Sequence, residues 1–141
     1  MEITEVRIKL VDGNDDRLRA FCSVTFDHEY VIRDLKIIEG AQGLFVAMPS
    51  RKLCDRCPRC RGKNHMRAHF CNDCGQKLAP DRAPADERGR ARLHADIAHP
   101  IHAKARDKVH HRVIEEFAAE VERSKQEGYV PPRFDDLDYD D

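Results

Sequence analysis

Leu18-Arg19-Ala20-Phe21-Cys22-Ser23-Val24-Thr25-Phe26 carries apolar side chains at Leu18, Ala20, Cys22, Val24 and Phe26, every second residue. A period of two puts that row on one face of a strand, where Cys22 reads as a small buried residue. Upstream, Val6, Ile8 and Leu10 alternate with charged neighbours. Downstream, Tyr30-Val31-Ile32, Leu35, Ile37 and Ile38 continue the β pattern, and Leu44-Phe45-Val46-Ala47-Met48 forms a last apolar run before Pro49. Asp12-Gly13-Asn14-Asp15 and Gly40-Ala41-Gln42-Gly43 mark turns between the runs. The reading is an antiparallel meander of about four strands with short connections.

Further along, the period changes. Val109, Val113, Phe117 and Val121, joined by Ile114 and Ala118, fall on one face of a helix that starts shortly after Pro100. A meander with one amphipathic helix implies an α+β fold, the helix covering the sheet. Within the helix Lys104, Arg106, Lys108 and Arg112 precede Glu115, Glu116, Glu120 and Glu122. Cations near a helix N-terminus oppose its dipole, so this order points to an anionic partner rather than to helix stability.

Between meander and helix stand two cysteine pairs, Cys57-Pro58-Arg59-Cys60 and Cys71-Asn72-Asp73-Cys74-Gly75. Paired C-x-x-C steps let the sulfurs of two tight turns reach one metal, so structural Zn²⁺ held by Cys57, Cys60, Cys71 and Cys74 is the expected cofactor. Gly75 tolerates the positive φ such turns need. Cys54 forms an overlapping Cys54-Asp55-Arg56-Cys57 step and is the alternate ligand; His65 and His69 stand behind the thiols as second choices. Free or disulfide-bonded thiols are the competing reading. Residues 54–78 hold few large apolar side chains, chiefly Met66, Phe70 and Leu78, so metal must supply the folding energy, ~10–16 kcal/mol in small zinc peptides.

The 141 residues carry a net charge of −1, which hides a division. Residues 1–53 hold 8 Lys and Arg against 9 Asp and Glu, residues 54–93 hold 10 against 5, and residues 94–141 hold 7 against 12. The cysteine segment and the stretch after it are the basic part. Residues 79–93, rich in Pro, Ala and charge, read as a flexible linker, and 126–141 as a disordered acidic tail able to compete with nucleic acid for the cations. No apolar signal core opens the chain and no run approaches a membrane span, so a cytoplasmic protein without membrane contact is expected.

Four blocks in order then resemble one family: Met1-Glu2-Ile3-Thr4-Glu5-Val6-Arg7, Phe26-Asp27-His28-Glu29-Tyr30-Val31, Gly43-Leu44-Phe45-Val46-Ala47-Met48-Pro49-Ser50, and Asp96-Ile97-Ala98-His99-Pro100-Ile101. They resemble the stage V sporulation protein G (SpoVG), or septation protein, family of bacterial regulators. That resemblance implies a dimeric α+β protein that binds DNA and RNA, influences septum formation and catalyses nothing. It carries nucleic-acid contact onto Arg106 and Lys108, where the family's Thr-Arg-Gly-Lys-Ile matches Ala105-Arg106-Asp107-Lys108-Val109. The expected layout is a discontinuous domain of residues 1–53 and 94–125, an inserted zinc ribbon at 54–78 where the family has a short connection, the linker and the tail.

Arg51, Lys52, Arg56, Arg59, Arg61, Lys63 and Arg67 lie in or beside that insertion, and with Lys104, Arg106, Lys108 and Arg112 they are the candidate nucleic-acid contacts. His65, His69 or Phe70 would stack on an unpaired base. The rival class is a zinc-ribbon adaptor docking a protein of division or transcription. An enzymatic reading, with His94, Asp96, His99 and His102 on a catalytic metal, lacks any recognised ligand spacing, and Gly-rich phosphate loops and nucleophile elbows are absent from the sequence.

Overall fold

The computed structural model describes residues 1–11 and 17–133. The turn expected at Asp12-Gly13-Asn14-Asp15 and the end of the acidic tail, residues 134–141, lie outside the described residues. In chain order the elements are β1 (Ile3–Leu10), β2 (Leu18–Phe26), β3 (Tyr30–Gly40), β4 (Gly43–Ala47), β5 (Ser50–Lys52), β6 (Cys54–Arg56), β7 (Lys63–His65), β8 (His94–Asp96) and α1 (Ala103–Ser124). The chain divides into two units, Met1–Pro49 with Ala98–Asp141, and Ser50–Ile97.

In the first unit the antiparallel sheet runs β1-β2-β3-β4. Val6 faces Val24, Ile8 faces Cys22 and Leu10 faces Ala20, so the two alternating rows share one side. β3 brings Leu35 opposite Cys22 and Ile37 opposite Ala20, and α1 packs on β1, β2 and β4. Val6, Ile8, Ala20, Cys22, Val24, Phe26, Leu35, Ile37 and Val113 form the buried core, with Val109, Ile114 and Phe117 of the helix against it. Each large side chain buried there stabilises by roughly 1.5–3 kcal/mol. Ala118, placed on the apolar face by periodicity, is exposed.

Register shifts mark where β3 departs from simple alternation. Between Cys22 and Val24 the partner strand inserts Arg33 and Asp34, and Asp34 takes φ 64°, a bulge that re-aims the strand. The β2–β3 turn puts Asp27 at φ 52° and His28 at φ 57°. That left-handed pair is held by the start of β1: Asp27 Oδ1 accepts the Glu2 N–H at 2.8 Å, and the His28 N–H donates to Thr4 Oγ1 at 2.9 Å.

Helix α1 has no acidic residue in its first turn; His102 caps it, Nδ1 accepting the Ala105 N–H at 3.0 Å. At the other end the buried Glu120 accepts from Arg123 at 2.7 Å and from the Tyr129 hydroxyl. Burial first, then Glu120, pushes the Tyr129 hydroxyl up to about 12. No described helix is long and apolar enough to cross a membrane.

The second unit is built from two short ladders, β5 with β8 and β6 with β7. Its small apolar cluster is Cys57, Cys71 and Leu78, with Ala68 against it. Residues 79–93, a linker by composition, are tied down through Arg82, whose guanidinium is 15% exposed. It pairs with Asp55 at 2.7 Å and donates to the carbonyls of Ala79 (2.5 Å), Ala68 (3.1 Å) and His65 (3.2 Å). These ties are polar, which is why hydropathy does not register them.

Candidate metal centre

Cys57-Pro58-Arg59-Cys60 and Cys71-Asn72-Asp73-Cys74 fold into two turns of one design. In the first, the Cys57 N–H donates to Gly62 O at 2.8 Å and the Arg61 N–H to Cys57 O at 2.9 Å. In the second, the Cys71 N–H donates to Gln76 O at 2.8 Å and the Gly75 N–H to Cys71 O at 3.0 Å. The residue after each pair is left-handed, Arg61 at φ 68° and Gly75 at φ 80°. Gly62 serves space instead: a Cβ there would lie 2.1 Å from Asp73 Oδ2.

The turns bring four sulfurs together, every pair within 4.8 Å. Cys57 and Cys74 are 3.8 Å apart and Cys60 and Cys71 3.5 Å. A tetrahedron with metal–sulfur bonds of about 2.3 Å has edges of about 3.8 Å, so spacing and donor chemistry both fit one divalent ion. All six cysteines are free thiols. Cys57 and Cys71 form the buried side of the centre, Cys60 and Cys74 the exposed side.

N–H donors converge on the sulfurs. Arg59 N reaches Cys57 Sγ, Gly62 N reaches Cys60 Sγ and Asp73 N reaches Cys71 Sγ, each at 3.4 Å. The Cys74 N–H and then the Asn64 amide bring the Cys71 thiol down to about 6. Cys57 is lowered, chiefly by the Cys60 N–H. At Cys60 the Gly62 N–H pulls down, but sharing with Cys71 and burial outweigh it and raise the thiol to about 12. A dication bound by these sulfurs would offset the repulsion among thiolates and release the thiol protons.

Asn64 went unnoticed in the sequence and joins the two turns. Only 4% exposed, it donates to Cys71 Sγ at 3.4 Å and to Gly62 O at 3.3 Å, while Oδ1 accepts the Asn72 N–H at 2.8 Å. A lone Asn in a basic stretch carries no signal for this role. Cys54 is outside the four-sulfur group, its thiol directed to Lys52 O at 3.5 Å. His65 and His69 are outside it too, and His65 Nδ1 accepts the Arg67 N–H at 3.2 Å. Among the described residues no group of three or more ligating side chains forms around His94, Asp96, His99 and His102.

The candidate cations divide by environment. In the second unit Arg51, Lys52, Arg59, Arg61, Lys63 and Arg67 are exposed, and Arg56, also exposed, donates to Arg61 O at 3.1 Å. In the first, Lys104 and Arg106 are exposed on the opening turn of α1, whereas Lys108 Nζ donates to Met1 O at 2.6 Å and Arg112 pairs with Glu116 at 3.4 Å.

A sequence model of the SpoVG family matches residues 1–119, from β1 into the second half of α1. The chain belongs to the SpoVG family. A relative from Finegoldia magna is 40% identical over 123 residues, 87% of this chain and 80% of its own length. One from Acetivibrio thermocellus is 37% identical over 117 residues, 83% and 85% of the two chains, and one from Clostridium beijerinckii 34% over 128, 91% and 100%. All three carry the name septation protein SpoVG. In this SpoVG-family chain the four-sulfur group lies inside the matched range.

Proposed function

We propose that this SpoVG-family protein is a cytoplasmic nucleic-acid-binding regulator, acting as a homodimer, whose second unit is a structural zinc ribbon that adds a basic surface. The observation that carries the reading is the group of four thiols within 4.8 Å, surrounded in sequence by exposed Arg59, Arg61, Lys63 and Arg67. Zinc is preferred because four thiolates in a closed tetrahedral set suit a structural Zn²⁺. Lys104 and Arg106, exposed where the helix dipole is positive, give the first unit its own place for a phosphate backbone. The relatives' names tie the reading to septation. No catalytic step belongs to it.

The test is binding of a labelled duplex oligonucleotide to the purified protein over a range of salt. Arg106→Ala with Lys108→Ala should weaken binding and reduce the slope of log affinity against log salt by about 2. Unaltered affinity and slope would remove the helix from the account. Phe70, 61% exposed, supports the second reading of a ribbon that docks protein. Zinc chelation that abolishes a protein pull-down while nucleic-acid affinity stays intact would select it.

A further inference from the structure

Pro84–Arg92 forms a hairpin closed from several directions. The Arg92 N–H donates to Pro84 O and the Asp86 N–H to Arg90 O, both at 2.7 Å, and Ala85 bridges to Ala91. At the tip the Gly89 N–H donates to Asp86 O at 3.0 Å, and Gly89 takes φ 78°, a conformation that resists a side chain. Asp86 Oδ1 accepts the N–H of Arg88 at 2.8 Å and of Arg90 at 2.9 Å, and these donations, Arg90 first, hold its carboxyl below the usual range. Arg82 anchors the base of the hairpin beside the cysteine turns.

Such a tip presents Arg88-Gly89-Arg90-Ala91-Arg92 with little bulk between the cations. All three arginines are exposed. Arg90 leans on Asp86 at 3.5 Å, while among the described residues the guanidiniums of Arg88 and Arg92 have no partner. Ala85, Gly89 and Ala91 line a groove on the side of the hairpin toward Met66 and His69, so the alternation sends Arg90 and Arg92 to the other face. On the returning arm Arg90 and Arg92 stand about 6.6 Å apart, comparable with successive phosphates of a nucleic-acid strand, and Arg88 sits on the turn beyond them. Residues 50–97 hold 12 Lys and Arg against 6 Asp and Glu, so the unit stays cationic even with four zinc-bound thiolates.

We infer that the 84–92 hairpin is a preorganised arginine arm that grips the phosphodiester backbone of a nucleic acid, with Arg88 and Arg92 as its phosphate contacts. The inference rests on the nucleic-acid reading above and adds a site outside both the helix and the cysteine turns. Arginine's planar fork matches phosphate oxygens, and a backbone already fixed by Asp86 loses little entropy on binding. The occupant is a nucleic acid rather than an acidic peptide because three exposed cations follow one another around the turn and along the returning arm, with only Gly89 and Ala91 and no apolar anchor between them.

The experiment uses the zinc-loaded full chain and fluorescein-labelled single-stranded DNA, single-stranded RNA and duplex DNA, with anisotropy read from 50 to 300 mM KCl. Arg88→Ala with Arg92→Ala should weaken binding about tenfold at the lowest salt and cut the salt slope by roughly 1.4 on single strands or 1.8 on duplex. Asp86→Asn keeps the turn acceptor and loses a repulsive charge, so it should bind at least as tightly as the parent. Asp86→Ala loses the same charge and the turn, and should bind more weakly than Asp86→Asn, an order that simple charge counting does not give. A parent chain that binds none of the probes overturns the nucleic-acid reading itself. A parent that binds while the double variant keeps its slope overturns the arm alone, as does displacement of the oligonucleotide by poly-glutamate at equal charge concentration.

Discussion

Asn64 and Arg61 show how much of the candidate metal centre rests on residues other than the cysteines. Asn64→Ala removes the amide that touches Cys71 Sγ and holds the second turn, and should lower zinc affinity about 10- to 100-fold in competition with a chromophoric chelator. Arg61 sits at φ 68° where the equivalent residue is Gly75, so Arg61→Gly should raise the stability of the zinc-loaded unit by about 1 kcal/mol in a thermal melt. Cys22 gives a pH dependence of known sign. Burial raises its thiol to about 12 from 9.0, so above pH 9 the unfolded chain holds fewer protons than the folded one and stability falls as pH rises toward 12. The slope should reach about 1.4 kcal/mol per pH unit and flatten in Cys22→Ala, compared by urea unfolding between pH 9 and 10. Tyr129, raised from 10.0 to about 12, adds loss of the same sign that grows as pH approaches and passes 10, so the difference between the parent and Cys22→Ala isolates the thiol. The four cysteines were legible because C-x-x-C spacing is local geometry written in sequence; Asn64 was not, since its importance lies in partners up to eight residues away.

At the scale of elements, the sheet was legible wherever one face is buried and the other wet. Val6, Ile8, Ala20, Cys22, Val24, Leu35 and Ile37 all stand in the core where alternation put them. The bulge at Asp34 was not, because a left-handed Asp inside a strand is decided by the register β2 imposes, and composition holds no trace of it. Ile37→Ala should cost the first unit about 2–5 kcal/mol, read as a shift in urea midpoint with unchanged slope. The hairpin at 84–92 illustrates the opposite failure of composition. Pro, Ala and charge suggest a solvated chain, yet Asp86 and Arg82 fix the segment by hydrogen bonds that no periodicity reports.

At the scale of the whole molecule, the two units answer to different forces. The first has a hydrophobic core of sheet and helix, while the second has Leu78 and two cysteines at its centre, and on the proposed zinc reading it depends on a metal worth ~10–16 kcal/mol to such peptides. A chelator stronger than the site should therefore unfold Ser50–Ile97 and leave the β1–β4 sheet protected in hydrogen exchange. Family membership was legible because its blocks lie at Met1–Arg7, Phe26–Val31, Gly43–Ser50 and Asp96–Ile101, within the matched range. The metal content of the untagged protein, weighed by native and denaturing mass spectrometry, tests the central claim most directly. The account predicts one zinc per chain in the native spectrum, retained in Cys54→Ser and lost in Cys57→Ser and Cys71→Ser. A metal-free native protein whose residues 54–78 nonetheless resist hydrogen exchange would contradict it.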